Sequence, residues 1–137
     1  MRTSSSLFAV VLVLALAATA CGKENAGSGG TITIAGQEAN DHGTKEISGE
    51  SSLELEQDNY YFEPTILKGT AGQKITLELS NEGSALHNFS ITDQGIDEDV
   101  PSEEKAEVTL TFPQSGTLVF FCKYHQTRGM VGALEVA

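Results

Sequence analysis

The sequence predicts an all-β protein, an antiparallel β-sandwich of about seven to eight short strands. Three observations lead there. Apolar and polar residues alternate with a period of two in segments such as Lys74–Leu79 (KITLEL) and Ala106–Phe112 (AEVTLTF). Clusters of Gly, Ser, Asn, Asp and Pro separate these segments at short intervals. No convincing helical period and no internal repeat accompany them.

The 137-residue chain is one domain's worth once its N-terminus is set aside. Residues 1–20 read as a signal peptide, with Arg2, a Ser-rich approach and an apolar run from Leu7 to Ala20 that is short for a membrane span. Cys21-Gly22 follows directly. Small residues ending in Ala20 before a cysteine resemble the bacterial lipoprotein signal, in which Cys21 would be lipidated. The alternative is an ordinary signal peptide whose cleavage leaves a free thiol. Residues 22–30 (GKENAGSGG) read as a flexible tether. Thr31–Ile34 is a short β-type run, and 35–52 is polar and Gly-dotted. It reads either as an extra edge strand with a loop or as more linker. The expected division is therefore 1–20 signal, 21–52 lipidated cysteine, tether and extension, and 53–137 folded domain.

Within that domain Leu53 and Leu55 alternate with Glu54 and Glu56 as a half-buried strand. Tyr60 to Leu67 reads as strand, irregular turn at Pro64, and strand. Turns at Gly69 and Gly72 lead to Ile75, Leu77 and Leu79, all facing inward. Ser80–Ser84 (SNEGS) is a turn cluster, and Leu86–Thr92 is the next strand. Residues 93–105 are expected to be an acidic loop. Ala106–Phe112, Leu118–Cys122 and Met130–Val136 complete the set.

The chain carries 8 basic and 19 acidic residues, for a net charge of −11. Such a surface argues against nucleic acid and anionic lipid headgroups as partners. It suits a protein partner with a positive docking surface, steered by long-range attraction. The bland reading of most of these acids is solubility. Two cysteines in an exported protein would ordinarily suggest a disulfide. Here Cys21 sits at the cleavage point and Cys122 among metal-ligand residue types, so each thiol has a better use.

The chemistry is concentrated in Leu118–Val136, where Cys122, His125 and Met130 are spaced Cys-x2-His-x4-Met. Leu118, Phe120 and Cys122 share one strand face, as do Met130, Gly132, Leu134 and Val136. The two strands would deliver a thiolate and a thioether to the same side, with His125 on the loop between them. His87 shares a face with Phe89 and Ile91 and is the obvious second imidazole. Two His, one Cys and one weak axial Met form the type 1 copper set. Zinc is the first rival, but structural zinc favours four Cys or His donors and does not want methionine. Met130 taken alone could be a core residue. His42, in the polar Asn40–Gly43 stretch, reads as a surface turn histidine.

The tail FCKYHQTRGMVGALEV, with ALHNFSI upstream, resembles the cupredoxins, and its Cys-x2-His-x4-Met loop is most similar to that of plastocyanin and pseudoazurin. The resemblance spans roughly Leu53 to Val136. It implies a Greek-key sandwich, one copper ion cycling between Cu(I) and Cu(II), and His87, Cys122, His125 and Met130 as its ligands. It also implies that the Asn88 backbone N–H donates to the Cys122 sulfur, and that His125 presents its ring edge to redox partners such as a cytochrome or a copper oxidase or reductase. Proline is absent around His125, a departure that touches loop stiffness and redox tuning.

A shell filled by protein leaves no open position for substrate, so no catalysis is expected. Three histidines are too few for a multicopper oxidase. The expected function is one-electron transfer by a monomer, lipid-anchored to the outer face of a bacterial cytoplasmic membrane. Acids at Asp93, Asp97, Glu98, Asp99, Glu103 and Glu104 would supply its docking surface. The alternative is an extracytoplasmic copper-binding protein that delivers or buffers the metal. A structural sandwich with a vestigial site is a third reading.

Overall fold

The computed structural model describes residues 29–137; Cys21 and the leader lie outside them. Among the described residues there are twelve strands: β1 (Gly30–Ile34), β2 (Gln37–Asp41), β3 (Thr44–Glu46), β4 (Ser52–Asp58), β5 (Tyr61–Glu63), β6 (Ile66–Gly69), β7 (Lys74–Asn81), β8 (His87–Ile91), β9 (Ile96–Val100), β10 (Lys105–Thr111), β11 (Thr117–Phe121) and β12 (Val131–Val136). Every strand expected from alternation is there. Among the described residues, no helix is long and apolar enough to cross a membrane.

The strands form a four-stranded sheet ordered β10-β7-β4-β5 and a six-stranded sheet ordered β3-β6-β12-β11-β8-β9, with β1 and β2 as a separate hairpin. Leu55, Ile75, Leu77, Leu79, Val108 and Leu110 of the first sheet pack against Leu67, Phe89, Ile91, Phe120 and Leu134 of the second in one buried core. This is the period-two pattern turned into a sandwich: alternate side chains face the opposing sheet and their neighbours face water.

Most pairings are antiparallel, but β4–β7, β6–β12 and β3–β6 are parallel. Alternation along one strand carries no information about the direction of its neighbour. Parallel neighbours arise here because the chain between β4 and β7 crosses to the other sheet and back, passing through β6.

One segment differs from its sequence reading, and a second had two readings of which the structure takes one. Residues 93–105 are not a plain loop: β9 pairs antiparallel with β8 from His87↔Val100 to Ile91↔Ile96. Its acids hid the strand, because only Ile96 and Val100 lie on the apolar pattern. Upstream, β3 joins the edge of the six-stranded sheet and Ile47 is fully buried in the main core. Ile34 and Ala39 of the β1–β2 hairpin pack on Val131 and Ala133, on the outer face of that sheet. Residues 30–47 thus contribute strands and buried side chains to the fold.

Three aromatic rings fix the end of the core nearest the cysteine. Phe62 meets Phe89 edge-on at 6.0 Å and Phe120 edge-on at 5.0 Å, while Phe89 and Phe120 stack at 5.0 Å. Phe89 lies two residues after His87 and Phe120 two before Cys122, so packing these rings orients both ligand-type residues. Gly132 lies opposite Phe120 across β11–β12. A Cβ there would run into the Phe120 ring and the Thr65 carbonyl. The absence of a side chain at Gly132 is what lets Phe120 settle.

Candidate metal centre

Cys122 follows β11 and Met130 precedes β12, and the Cys122 N–H donates to the Met130 carbonyl at 3.0 Å. That bond closes the seven-residue excursion between them. Inside it the His125 N–H donates to the Cys122 carbonyl at 3.1 Å, and the His125 carbonyl accepts from Arg128 at 2.9 Å and Met130 at 3.2 Å. Gln126–Arg128 forms a single 3₁₀ turn ended by Gly129 at φ +86°, left-handed backbone that suits glycine. Backbone hydrogen bonds within the loop restrain it where no proline does.

This geometry gathers three donors. One ligand atom each from His87, Cys122 and His125 lies within 4.8 Å of the others. The Cys122 sulfur is 3.5 Å from His125 Nδ1, and the two imidazole centroids are 5.2 Å apart. His87, Cys122 and Met130 are fully buried, and His125 is half-buried. Met130 belongs to the same core cluster as Cys122 and Phe120. His42 is elsewhere: it stacks on Tyr61 with centroids 3.4 Å apart, and its Nδ1 lies 3.6 Å from a Glu63 carboxylate oxygen.

The two nitrogens of His87 have different fates. Nε2 lies 3.1 Å from Asn59 Oδ1, whereas Nδ1 is buried with no hydrogen-bond partner. An amide oxygen can only accept, so Nε2 carries the proton and Nδ1 keeps a free lone pair. A buried nitrogen left unpaired costs about 1–3 kcal/mol. A metal ion held with the neighbouring thiolate and imidazole satisfies it. Asn59 escaped the sequence reading because it lies in the β4–β5 turn, far along the chain, and no local pattern tied it to His87. Its side-chain N–H donates to the Ser84 hydroxyl at 2.9 Å, which sets its orientation. Gly83 makes room, since a Cβ there would approach Asn59 Oδ1 to 2.6 Å and His87 Nε2 to 2.8 Å.

Asn88 is fully buried and ties three segments together. Its side-chain N–H₂ donates to Asp97 and Asp99 at 2.8 Å each, and its Oδ1 accepts from the Ser90 hydroxyl at 2.6 Å and the Lys123 N–H at 3.3 Å. The same two aspartates bind the Lys123 ammonium at 2.7 and 3.0 Å, and Asp99 accepts from the Tyr124 hydroxyl at 2.9 Å. Asp97 and Asp99, read from sequence as docking acids, therefore spend their charge on the start of the ligand loop.

Electrostatics suit metal capture. Burial, helped by the neighbouring His125, pushes the His87 imidazolium pKa down to about 4, so the ring is neutral at pH 7. Burial and the Arg128 charge lower that of His125 as well. Burial raises the Cys122 thiol, opposed by the backbone N–H groups of Tyr124, Asn88 and His125. A bound cation would deprotonate this thiol and meet two neutral imidazoles.

The grouped donors, a soft thiolate and two imidazoles, fit one type 1 copper ion. The grouped donors include no fourth Cys or His of the kind structural zinc usually takes.

None of the curated proteins matches the chain in sequence. Solved structures match its fold. Dithionite-reduced auracyanin from the photosynthetic bacterium Roseiflexus castenholzii superposes with a TM-score of 0.54 at 20% identity, over 64% of this chain and 98% of that one. Auracyanin A, a blue copper protein from Chloroflexus aurantiacus, gives 0.54 at 21%, over 63% and 98%. The metal-binding domain of the Cu(I)-exporting P-type ATPase of Streptococcus pneumoniae, solved with Cu(I), gives 0.54 at 12%, over 68% and 96%. The family model described as a cupredoxin-like domain matches residues 8–133. With that match over most of its length, the chain belongs to the cupredoxin-like domain family.

Proposed function

We propose that this protein is a one-electron carrier built on a mononuclear type 1 copper site. The observation that carries the reading is the closed cluster of His87, Cys122 and His125, with His87 Nδ1 buried and otherwise unpartnered. Met130 is the weak fourth ligand in this reading, supported by its burial in the same core cluster as Cys122 and by the backbone bond between the two residues. Copper, when bound, supplies the Cu(I)/Cu(II) couple.

The residues around it do the rest. The Phe62, Phe89 and Phe120 cluster and the hydrogen bonds of Asn88 hold the donors still, so that little rearranges as the charge changes. Fully buried His87 and Cys122 keep water away from the sulfur and slow exchange of the metal. That favours retention over the delivery reading. With protein donors filling the shell, no position remains for a substrate, and the protein acts as a carrier rather than an enzyme.

His125 is the donor nearest solvent, with the exposed Tyr124 ring 6.4 Å from its own. This edge is the proposed exit for the electron toward a redox partner with a positive surface. Glu98, Glu103 and Glu104 are exposed and supply the attraction, since Asp97 and Asp99 are engaged with Lys123. Lipidation at Cys21, supported by the sequence around it, would tether a monomeric carrier to the outer membrane face, where more than one acyl chain gives stable anchoring.

Stopped-flow mixing of the copper-loaded protein with ascorbate and then with an oxidant tests the carrier role. Repeated full reduction and reoxidation without loss of metal is expected. Release of Cu(I) to a chelator on each reduction would favour delivery instead. Membrane fractionation of cells expressing the full chain or Cys21→Ala tests the tether, with the variant expected in the soluble fraction.

A further inference from the structure

We propose that Asn40, on the β1–β2 hairpin, is a positioning residue that sets the geometry of the copper ligand loop from outside the sandwich. This inference rests on the copper-site reading above. Its basis is the convergence of bonds from β2 on the segment between His125 and Met130. The Asn40 backbone N–H donates to the Gly129 carbonyl at 2.9 Å. Its side-chain N–H₂ donates to the Arg128 carbonyl and to the Tyr60 carbonyl, each at 2.9 Å. The Gln126 side-chain amide reaches the Gln37 side-chain oxygen three residues back on the same strand.

One side chain therefore bridges the ligand loop and the β4–β5 turn. That turn also matters to the metal centre. The Tyr60 ring lies 4.5 Å from the His125 ring, and the Arg128 guanidinium sits over the Tyr60 ring, 4.0 Å from its centroid. Asn40 thus ties together the backbones of the two residues, Tyr60 and Arg128, that pack beside His125. The fit is close: a Cβ on Gly129 would come within 2.9 Å of the Asn40 amide. The hairpin itself is fixed, because Ile34 and Ala39 are packed on Val131 and Ala133 directly beyond Met130.

The physical role follows from the composition of the loop. Proline, which would stiffen it by fixing φ, is absent between Cys122 and Met130. The clamp supplies restraint through hydrogen bonds from a neighbouring hairpin. It holds His125 and Met130 at a fixed separation in both oxidation states.

The test uses the full chain, copper-loaded, as Asn40→Ala and Gln37→Ala beside the unaltered protein. Visible absorption, the reduction potential and competitive copper titration are read at a temperature where circular dichroism shows each variant folded. Asn40→Ala is expected to shift the thiolate-to-copper band and the potential and to weaken copper binding about 10-fold, as loss of an outer partner of a metal site commonly does. Gln37→Ala is expected to move the same readouts in the same direction by less. A folded Asn40→Ala protein with an unchanged band, potential and affinity overturns the proposal, because a purely structural role would move only thermal stability. Should Asn40→Ala fail to fold, unchanged readouts in Gln37→Ala overturn it. Absence of the band in the unaltered protein instead overturns the copper-site reading.

Discussion

Asn59 Oδ1 accepts from His87 Nε2 at 3.1 Å, and that one contact decides which imidazole nitrogen keeps a free lone pair. The amide oxygen fixes the tautomer and leaves Nδ1 buried without a partner, with its lone pair free for a metal. Asn59→Ala is expected to leave the fold intact, since the residue is exposed, and to weaken copper binding about 10- to 100-fold. Competition with a copper chelator measures it. An affinity equal to that of the unaltered protein would show that His87 is oriented by packing alone.

Asn88 should matter to stability as much as to the site. Alanine there removes bonds to Asp97, Asp99, Ser90 and the Lys123 N–H, and strands the last two near a buried space. A loss of about 2–3 kcal/mol is expected in denaturant unfolding of the metal-free protein.

Gly132→Ala probes the aromatic cluster. The added methyl meets the Phe120 ring and the Thr65 carbonyl, so one of them must move. Overpacking of this kind costs about 1–3 kcal/mol. Because Phe120 lies two residues from Cys122, a change in the copper absorption band is expected to accompany the lower midpoint.

The metal-free protein should lose stability on mild acidification. Burial depresses the His87 pKa from 6.5 to about 4 in the folded state, so between these values the unfolded chain binds more protons than the folded one. Stability from this group is complete above pH 6.5 and falls as pH drops toward 4, by on the order of 3 kcal/mol in all. Urea titrations at pH 7 and pH 4.5 should differ in midpoint, and His87→Phe should remove most of the difference. An equal pH response in that variant would assign it to the carboxylates.

Much of this site was legible because its determinants are local. The period-two faces around Cys122 and Met130, the inward placement of His87 with Phe89, and the Cys-x2-His-x4-Met spacing each depend on a few adjacent residues. The structure brings His87, Cys122 and His125 together as those faces imply. Asn59 and Asn40 were not legible. Each acts across twenty residues or more, and an asparagine in a turn or at a strand end has many ordinary uses. β9 was missed for a different reason: edge position lets Asp97, Glu98 and Asp99 occupy a strand that alternation alone would discard. For β3 an edge strand was one of two readings the sequence left open: its three residues are exposed, and only Ile47 beyond it betrays the packing.

The central claim is that Cys122 is a copper-bound thiolate. The visible spectrum of the protein after addition of Cu(II), recorded beside Cys122→Ser, tests it most directly. An intense blue or green band, bleached by ascorbate, restored by oxidant and absent in the serine variant, is the predicted result. A colourless protein, or one that takes up Zn(II) or Cu(I) without ever showing that band, would contradict the account.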